Sequence, residues 1–347
     1  MFPILASAQQ DHEVPADEGI INQLYIETRL GYEMERNDGE ANNPNSGFKG
    51  QFLNLRFDGQ IVRGLTYSYR QRLNKNTDQR FFDATDWLHL DYKPNDRWSL
   101  SAGKQVVAIG GYEYDRAPID LYYCSEFWNN IPCYQLGISA TYQLTSHDGM
   151  MLQVCNSPFR SWAGNNTYGI NLMWTSHHGW YQSIWSINAM QRTRDHWMNY
   201  IALGNRFQLC PLAYLELDYM NRAASHQAFL FRDCSVMTEL SVQPHRSTRV
   251  FAKYTFDHNG SDTDADQLVM AGTDLHLASA GLEYAPFRAD QQLLRLFGAV
   301  GYSWGENTNP DGTMLDRQLR FEAGLKFRLD ALKSFHWMAG KIRKNEK

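Results

Sequence analysis

Long apolar runs are missing from this sequence. No stretch of about 18 consecutive apolar residues occurs in its 347 residues, so the sequence predicts no transmembrane helix. The sequence also lacks a large excess of charge of one sign, because 33 basic and 38 acidic residues leave a net charge of only −5. This balance argues against nucleic acid as a partner, since nucleic acid would need a strongly basic surface.

Cysteine and histidine show no metal-ligand spacing. The five cysteines include no Cys-x-x-Cys pair, and an odd number cannot all form disulfides. Cys124 and Cys133 share one segment and could pair, although a role as small semi-polar fillers is favoured for all five cysteines. His177 and His178 lie together in a short turn without a third ligand nearby in sequence. We therefore expect neither a disulfide framework nor a metal site at these residues.

Asp262, Asp264 and Asp266 alternate in a polar segment, as calcium ligands often do. An EF-hand loop beginning at Asp262 needs Gly at its sixth position and Glu at its twelfth. Gln267 and Thr273 stand there instead, so a solvated acidic loop is the favoured interpretation. No motif singles out a serine–histidine pair for catalysis. The sequence thus indicates neither an enzyme nor a protein that holds a metal or cofactor.

Aromatic residues and alternating sequence are abundant. Aromatics make up 14% of the chain, and such rings are enriched where a membrane meets water. Residues 318–329 alternate most clearly, with apolar side chains at the odd positions and mostly charged or polar side chains at the even ones. A strand with this pattern has one apolar and one polar face. A soluble sandwich and a membrane barrel would both show it, because only the direction of the faces differs.

Connection lengths distinguish these two folds. Short turns rich in Gly, Pro, Asn and Asp alternate with longer polar loops, which would place all long loops at one rim of a ring, as in outer-membrane barrels. A Greek-key sandwich does not sort its connections this way. The sequence therefore predicts an all-β, transmembrane, antiparallel up-and-down barrel of about sixteen strands, with short periplasmic turns and longer extracellular loops. The strands are predicted to begin near residues 22, 48, 61, 86, 98, 134, 150, 168, 180, 197, 214, 231, 248, 276, 292 and 317.

The polar faces of these strands would line a wet lumen, because Arg or Lys facing lipid at mid-depth costs about 2–4 kcal/mol. Apolar neighbours such as Leu30, Leu53 and Leu90 would face lipid. The basic residues predicted to line the pore are Arg29, Arg56, Arg70, Arg72, Arg295 and Arg320.

The segment from Val106 to Cys133 is the longest predicted loop, and its apolar content is too high for a solvated loop. It would pack inside the lumen as a constriction or over the rim as a lid. It carries Arg116 and four acids, which are Glu113, Asp115, Asp120 and Glu126. Opposed acidic and basic walls would set a transverse field that favours small polar solutes. Alternatively, the same charges pair with each other and fix the loop in place.

Three segments resemble one porin family. They are Gly103-Lys104-Gln105 followed by Gly110 to Asp115 and Pro118, then Tyr134 to Gly137, and then Asn156-Ser157-Pro158. Together these segments, within roughly residues 87–160, resemble the phosphate-selective porin O/P family of Bacteroides-type bacteria. The resemblance implies a sixteen-stranded pore that passes small hydrophilic solutes, with the third long loop folded inward.

The two ends of the chain complete the predicted organisation. Residues 1–8 end in Ala6-Ser7-Ala8 and resemble the remnant of a secretory signal peptide, which would leave a barrel over residues 9–330. Residues 331–347 form a basic tail, expected in the periplasm. The expected partners in the bacterial outer membrane are lipid and lipopolysaccharide, with the tail as a contact for other outer-membrane or periplasmic proteins. A structural or assembly subunit of an outer-membrane complex is therefore the alternative to a porin for passive diffusion.

Overall fold

The computed structural model describes residues 21–74, 82–159, 166–225, 227, 230–261, 268–287, 292–310, 312 and 314–332. Seventeen strands account for most of this chain, and one of them, β2, is a two-residue piece inside the first loop. None of the helices within these residues combines the length and hydropathy needed to cross a bilayer. The strands are β1 Gln23–Asn37, β2 Glu40–Ala41, β3 Gly47–Val62, β4 Leu65–Arg72, β5 Thr85–Asn95, β6 Trp98–Val106, β7 Tyr134–Gln143, β8 Asp148–Asn156, β9 Tyr168–His178, β10 Tyr181–Thr193, β11 His196–Cys210, β12 Ala213–Ala224, β13 Asp233–His245, β14 Thr248–Asn259, β15 Asp274–Tyr284, β16 Leu294–Glu306 and β17 Gln318–Asp330.

The sixteen long strands close into a barrel. Each pairs antiparallel with its chain neighbours, and β1 pairs with both β3 and β17. Tyr25 lies opposite Asp330 and Asn37 lies opposite Gln318, so the first and last strands form a complete ladder. Closure leaves no edge strand to cover. The predicted all-β antiparallel barrel of about sixteen strands is confirmed.

The connections sort into two rims. Residues 63–64, 96–97, 144–147, 179–180, 211–212 and 246–247 are short turns at one rim, and most connections at the other rim are longer. Two connections depart from this rule: residues 194–195 form a tight turn at the long-loop rim, and residues 285–293 form a longer link at the short-turn rim. β13 ends in Pro244-His245, directly before the turn over 246–247. Proline is one of the residues that favour a turn.

Alternation places apolar side chains outside the barrel and polar ones inside. Leu88, Leu90 and Ile138 are large, exposed and outward, whereas Glu27 lies opposite Asn54 on the inner face. A soluble protein of this size would rarely leave so much apolar surface in water. An outer face of this kind fits hydrocarbon, as the strand pattern predicts.

The hydrophobic core lies inside the barrel. Residues 107–133, here named L3, fold into the lumen and pack Val107, Ile109 and Phe127 against inward-facing Met190 and Tyr200. Phe159, Leu268 and Val269 from two other loops at the same rim join this core. One side of the lumen is therefore filled by loops. The candidate functional site is the part of the lumen that these loops leave open.

Candidate functional site: the lumen and its inward loop

L3 leaves and re-enters the wall at one neck, where the Val107 N–H donates to the Cys133 carbonyl at 2.8 Å. Beyond it, two short helices (α1, Tyr112–Asp115, and α2, Glu126–Asn130) flank a 3-10 turn, Pro118–Asp120. Gly110 and Gly111 let the loop lie flat on β10. A Cβ at Gly110 would stand 2.6 Å from the Ile184 carbonyl oxygen, and Gly111 has a φ of +106° that only glycine adopts easily.

The outgoing half of L3 is attached to β12 and β13 by charge. Arg116 donates to Glu216 at 2.5 Å and to Glu239 at 2.8 Å. The Glu113 N–H donates to the Asp218 carboxylate at 2.7 Å. The Glu113 side chain pairs with Lys253 of β14. Burial opposes the charged form of Arg116, but Glu216 and Glu239 outweigh it and raise the pKa of the guanidinium. This half of the loop therefore lies along the wall and does not hang free in the lumen.

The far end of L3 reaches β16, β17 and β1. Asp120 accepts from Arg295 at 2.6 Å and from Lys326 at 2.9 Å. Arg29 donates to the Leu121 carbonyl at 2.6 Å. Burial disfavours the Asp120 carboxylate, but Arg295 and then Lys326 outweigh burial and hold the pKa of that carboxyl well below its usual range. Three cations from three strands thus clamp the loop opposite its neck.

The returning half of L3 is held by β14. Lys253 Nζ lies 2.6 Å from the Glu113 carboxylate of the outgoing half, and that carboxylate accepts the N–H of Ser125 in the returning half at 3.0 Å. Asp257 accepts the N–H of Glu126 at 2.7 Å, at the start of α2. Ser125 caps this helix by accepting from the Trp128 N–H. The contacts of L3 therefore run along the wall from β8 round to β17 and β1.

The inner faces of β3 and β4 carry a cluster of arginines, one of which stacks on the Trp87 ring of β5. The Arg70 guanidinium lies 3.9 Å from the centre of the Trp87 ring and pairs with Asp86 at 2.8 Å. Arg72 also reaches Asp86, at 3.3 Å. Arg56 pairs with Asp58 of β3 at 2.7 Å. Arg70 is buried beneath its neighbours, whereas Arg56 and Arg72 keep part of their guanidinium surface toward the lumen.

Most lumen ion pairs share one orientation. Arg206 exposes 16% of its side chain while its partner Glu216 exposes none, and Arg249 exposes 13% against 3% for Glu239. Other pairs also turn the guanidinium toward the lumen and the carboxylate toward the wall: Arg56 with Asp58, Arg72 with Asp86, Arg116 with both of its acids, and Arg328 with Glu27. Asp120, with 30% of its side chain exposed, is the clearest exception, and the acid is also slightly more exposed than the cation in the pairs Arg29–Glu322, Lys253–Glu113 and Lys326–Glu283.

The predicted loop residues separate into two groups. Glu113, Asp115 and Glu126 are buried, whereas Arg116 and Asp120 keep exposed surface. The alternative raised from the sequence, that these charges fix the loop in place, describes the contacts of Glu113, Arg116 and Asp120. The charged partners are on the barrel wall, and within the loop the Glu113 carboxylate accepts hydrogen bonds from Ser125.

The predicted basic residues all lie on the inner face, at different depths. Arg29 and Arg70 are buried, whereas Arg56, Arg72, Arg295 and Arg320 keep part of their surface exposed. Sequence reasoning did not single out further basic residues of the inner face, although each occupies an inward position in the strand alternation that could have revealed it. They include Arg206, Arg222, Arg249, Lys253, Lys326 and Arg328.

The five cysteines do not pair with one another. All five cysteines are free thiols, and burial raises the pKa of Cys124 to about 12 and that of Cys133 to about 11. Within the described ranges, no group of three or more potential ligands is arranged to hold a metal ion. Asp262, Asp264 and Asp266 lie outside those ranges. His178 pairs instead with Asp148 across two short turns, at 3.0 Å.

An outward apolar belt, a closed ring of sixteen strands and an inward loop define a pore-type membrane barrel. Solved structures agree on the fold. An anion-selective porin from Comamonas acidovorans is 11% identical, with a TM-score of 0.61 over 88% of this chain and 98% of that one. Outer-membrane expressed OmpT of Vibrio cholerae is 12% identical, with a TM-score of 0.62 over 90% and 99%.

Sequence comparison adds the family. Residues 23–209, more than half of the chain, match the phosphate-selective porin O and P family. No curated protein matches the chain. The chain belongs to the phosphate-selective porin O and P family and is a porin of the outer membrane, through which small solutes diffuse passively.

Proposed function

We propose that L3 forms the constriction of this porin and that the passage favours small anions over cations. The orientation of the lumen ion pairs carries the second part of this proposal. In most of these pairs a guanidinium group covers the buried carboxylate, so a solute in the lumen meets positive charge first, although the formal charges of the lumen nearly balance. Close charges in a narrow, weakly screened passage decide which ions enter.

Five of the lumen-facing basic side chains lie in the half of the barrel nearer the short turns. Arg206, Arg249, Arg295 and Arg328 each lie within a few residues of the strand end at that rim, and Arg116 reaches the same region from L3 through Glu216 and Glu239. Guanidinium groups present several donors in a plane, which suits oxyanions such as carboxylates and phosphates. The solute class that fits is therefore small, hydrophilic and anionic or polar.

The test is the zero-current potential of the purified protein in planar bilayers under a KCl gradient. The wild-type channel should prefer chloride. Replacing Arg56 and Arg328 by Gln should lower the chloride-to-potassium permeability ratio by about twofold or more. Arg317→Gln removes one positive charge from an exposed rim position. It serves as the control, and we expect little change in the permeability ratio.

A cation-selective wild-type channel, or one whose selectivity is indifferent to both lumen arginines, would contradict the anion preference. A folded protein without any conductance would instead favour the structural-subunit function expected as the alternative. Heat-modifiable migration on gels reports whether each variant has folded, because closed barrels resist unfolding in detergent.

Further parts of the organisation are proposals of the same kind. We propose a Bacteroides-type origin on the motifs of residues 87–160, and an orientation with the long loops outside the cell and the outer belt partly in lipopolysaccharide. The signal remnant at 1–8 and a basic tail that contacts other proteins fall almost wholly outside the described residues. They are supported by sequence alone.

A further inference from the structure

The far end of L3 rests in one small socket. We infer that Gly301 of β16 is a positioning residue for the constriction, because it receives the ring of Tyr123 and so holds the lumen edge of L3 in place. This inference rests on the proposed role of L3 as the constriction.

Gly301 faces inward, opposite Arg320 on β17 and Ser279 on β15. A Cβ at this position would stand 3.0 to 3.2 Å from three ring carbons of Tyr123. Those atoms form the rigid base of the ring and are not the end of a flexible chain, so they could not simply swing aside. Gly301 therefore makes the space that the Tyr123 ring occupies.

Tyr123 has little freedom to give way. Its backbone has a φ of +49°, a left-handed conformation that side-chain-bearing residues seldom adopt and that persists only where the surroundings enforce it. The Tyr123 hydroxyl donates to the Ala299 carbonyl at 3.3 Å. Leu275, Leu277 and Met314 pack around the same ring. The strained backbone of Tyr123 and the absence of a side chain at Gly301 therefore belong to the same contact.

The neighbouring residue makes the strained turn necessary. Tyr122 points into a separate cluster, where it stacks on Phe251 with ring centres 5.3 Å apart and lies under the Arg29 guanidinium. Its hydroxyl donates to Glu283 at 2.8 Å. Two consecutive tyrosines therefore enter two pockets on the wall, and the left-handed residue allows the chain to do so.

The socket adjoins the lumen edge of L3. Asp120 and the 3-10 turn Pro118–Asp120 lie directly before the two tyrosines, and Asp120 is the loop acid with the most exposed side chain among those predicted. If the Tyr123 ring leaves its socket, this edge loses its support from β16. The contacts of Asp120 with Arg295 and Lys326, of Leu121 with Arg29 and of Tyr122 with Glu283 would then hold it.

The experiment compares two glycines of β16. Gly301→Val fills the socket, whereas Gly298→Val places the same side chain on the lipid face, where a Cβ meets nothing within 4 Å. We expect Gly301→Val to raise single-channel conductance by about 1.5-fold and to increase open-channel noise, and Gly298→Val to change neither. Tyr123→Ala should act like Gly301→Val, and Tyr123→Phe should restore wild-type conductance, because the ring fills the socket.

A double variant separates positioning from general destabilisation. Once Tyr123→Ala has emptied the socket, adding Gly301→Val should cause no further change in conductance or noise, since the two residues act through one contact. Independent, additive effects, or wild-type conductance in Gly301→Val, would overturn the inference. If shortening L3 raises conductance but the socket variants do not, the constriction stands and the socket is wrong. If shortening L3 has no effect, the proposed constriction itself fails.

Discussion

Asp120 joins L3 to two strands of the barrel at once. Its carboxylate meets Arg295 and Lys326, and those two cations also share Glu283. Because the pKa of Asp120 is held below its usual range, the clamp stays ionised at neutral pH. The contribution of a depressed carboxyl is present above its unfolded pKa, near 4, and is lost as pH falls through the folded pKa.

Asp120→Asn should therefore destabilise the barrel by about 1–2 kcal/mol at pH 7, a modest value because water screens part of the carboxylate. The difference from wild type should be constant between pH 5 and 8 and should shrink below about pH 4. Thermal midpoints from heat-modifiable gels across this range measure it. Asp38→Asn, at an exposed rim pair, is the control, and a difference that grows on acidification would contradict the sign.

At the scale of elements, L3 is a strap attached at both ends and along its length. Its neck closes through Val107 and Cys133, so the strands on either side are already adjacent without the loop. Its removal would expose apolar inner residues such as Met190 and Tyr200 as well as polar ones, but it would leave the strand pairing of the closed barrel in place. The loop is therefore separable from the barrel that carries it.

Replacing residues 111–128 by a short Gly-Ser linker should raise single-channel conductance about twofold or more while the barrel stays folded. The same linker in place of residues 39–45, a loop at the rim, should leave conductance near the wild-type value. Planar-bilayer recordings on both variants provide the measurement. Unchanged conductance after the L3 replacement would mean that something other than L3 limits the passage.

For the whole molecule, the two rims predict an orientation in the membrane. The long-loop rim should face outward, as in other outer-membrane barrels. A membrane-impermeant maleimide should then label Asp38→Cys in intact cells, because Asp38 is exposed at that rim. The native Cys210, exposed at the short-turn rim, should react only after the cells are permeabilised. Labelling of Cys210 in intact cells would mean that the barrel is inverted.

The sequence by itself determined the strands and the two faces of the sheet. Strand starts predicted near 98, 134, 168 and 248 coincide with those observed, because alternation and turn residues act over only a few positions. The same local rule placed Arg56 and Arg295 on the inner face, and it would also have placed Arg206 and Arg249 there. Closure and strand count followed from the rhythm of the connections.

The tertiary structure decided which charges meet. Lys326 and Asp120 are 206 positions apart in the chain, and no local pattern records that contact. The sequence likewise could not show that Glu113 is buried against Lys253 of the wall while Arg116 and Asp120 keep exposed surface. A loop has no period that assigns its residues to a face, so its side chains take their positions from the distant strands against which it packs.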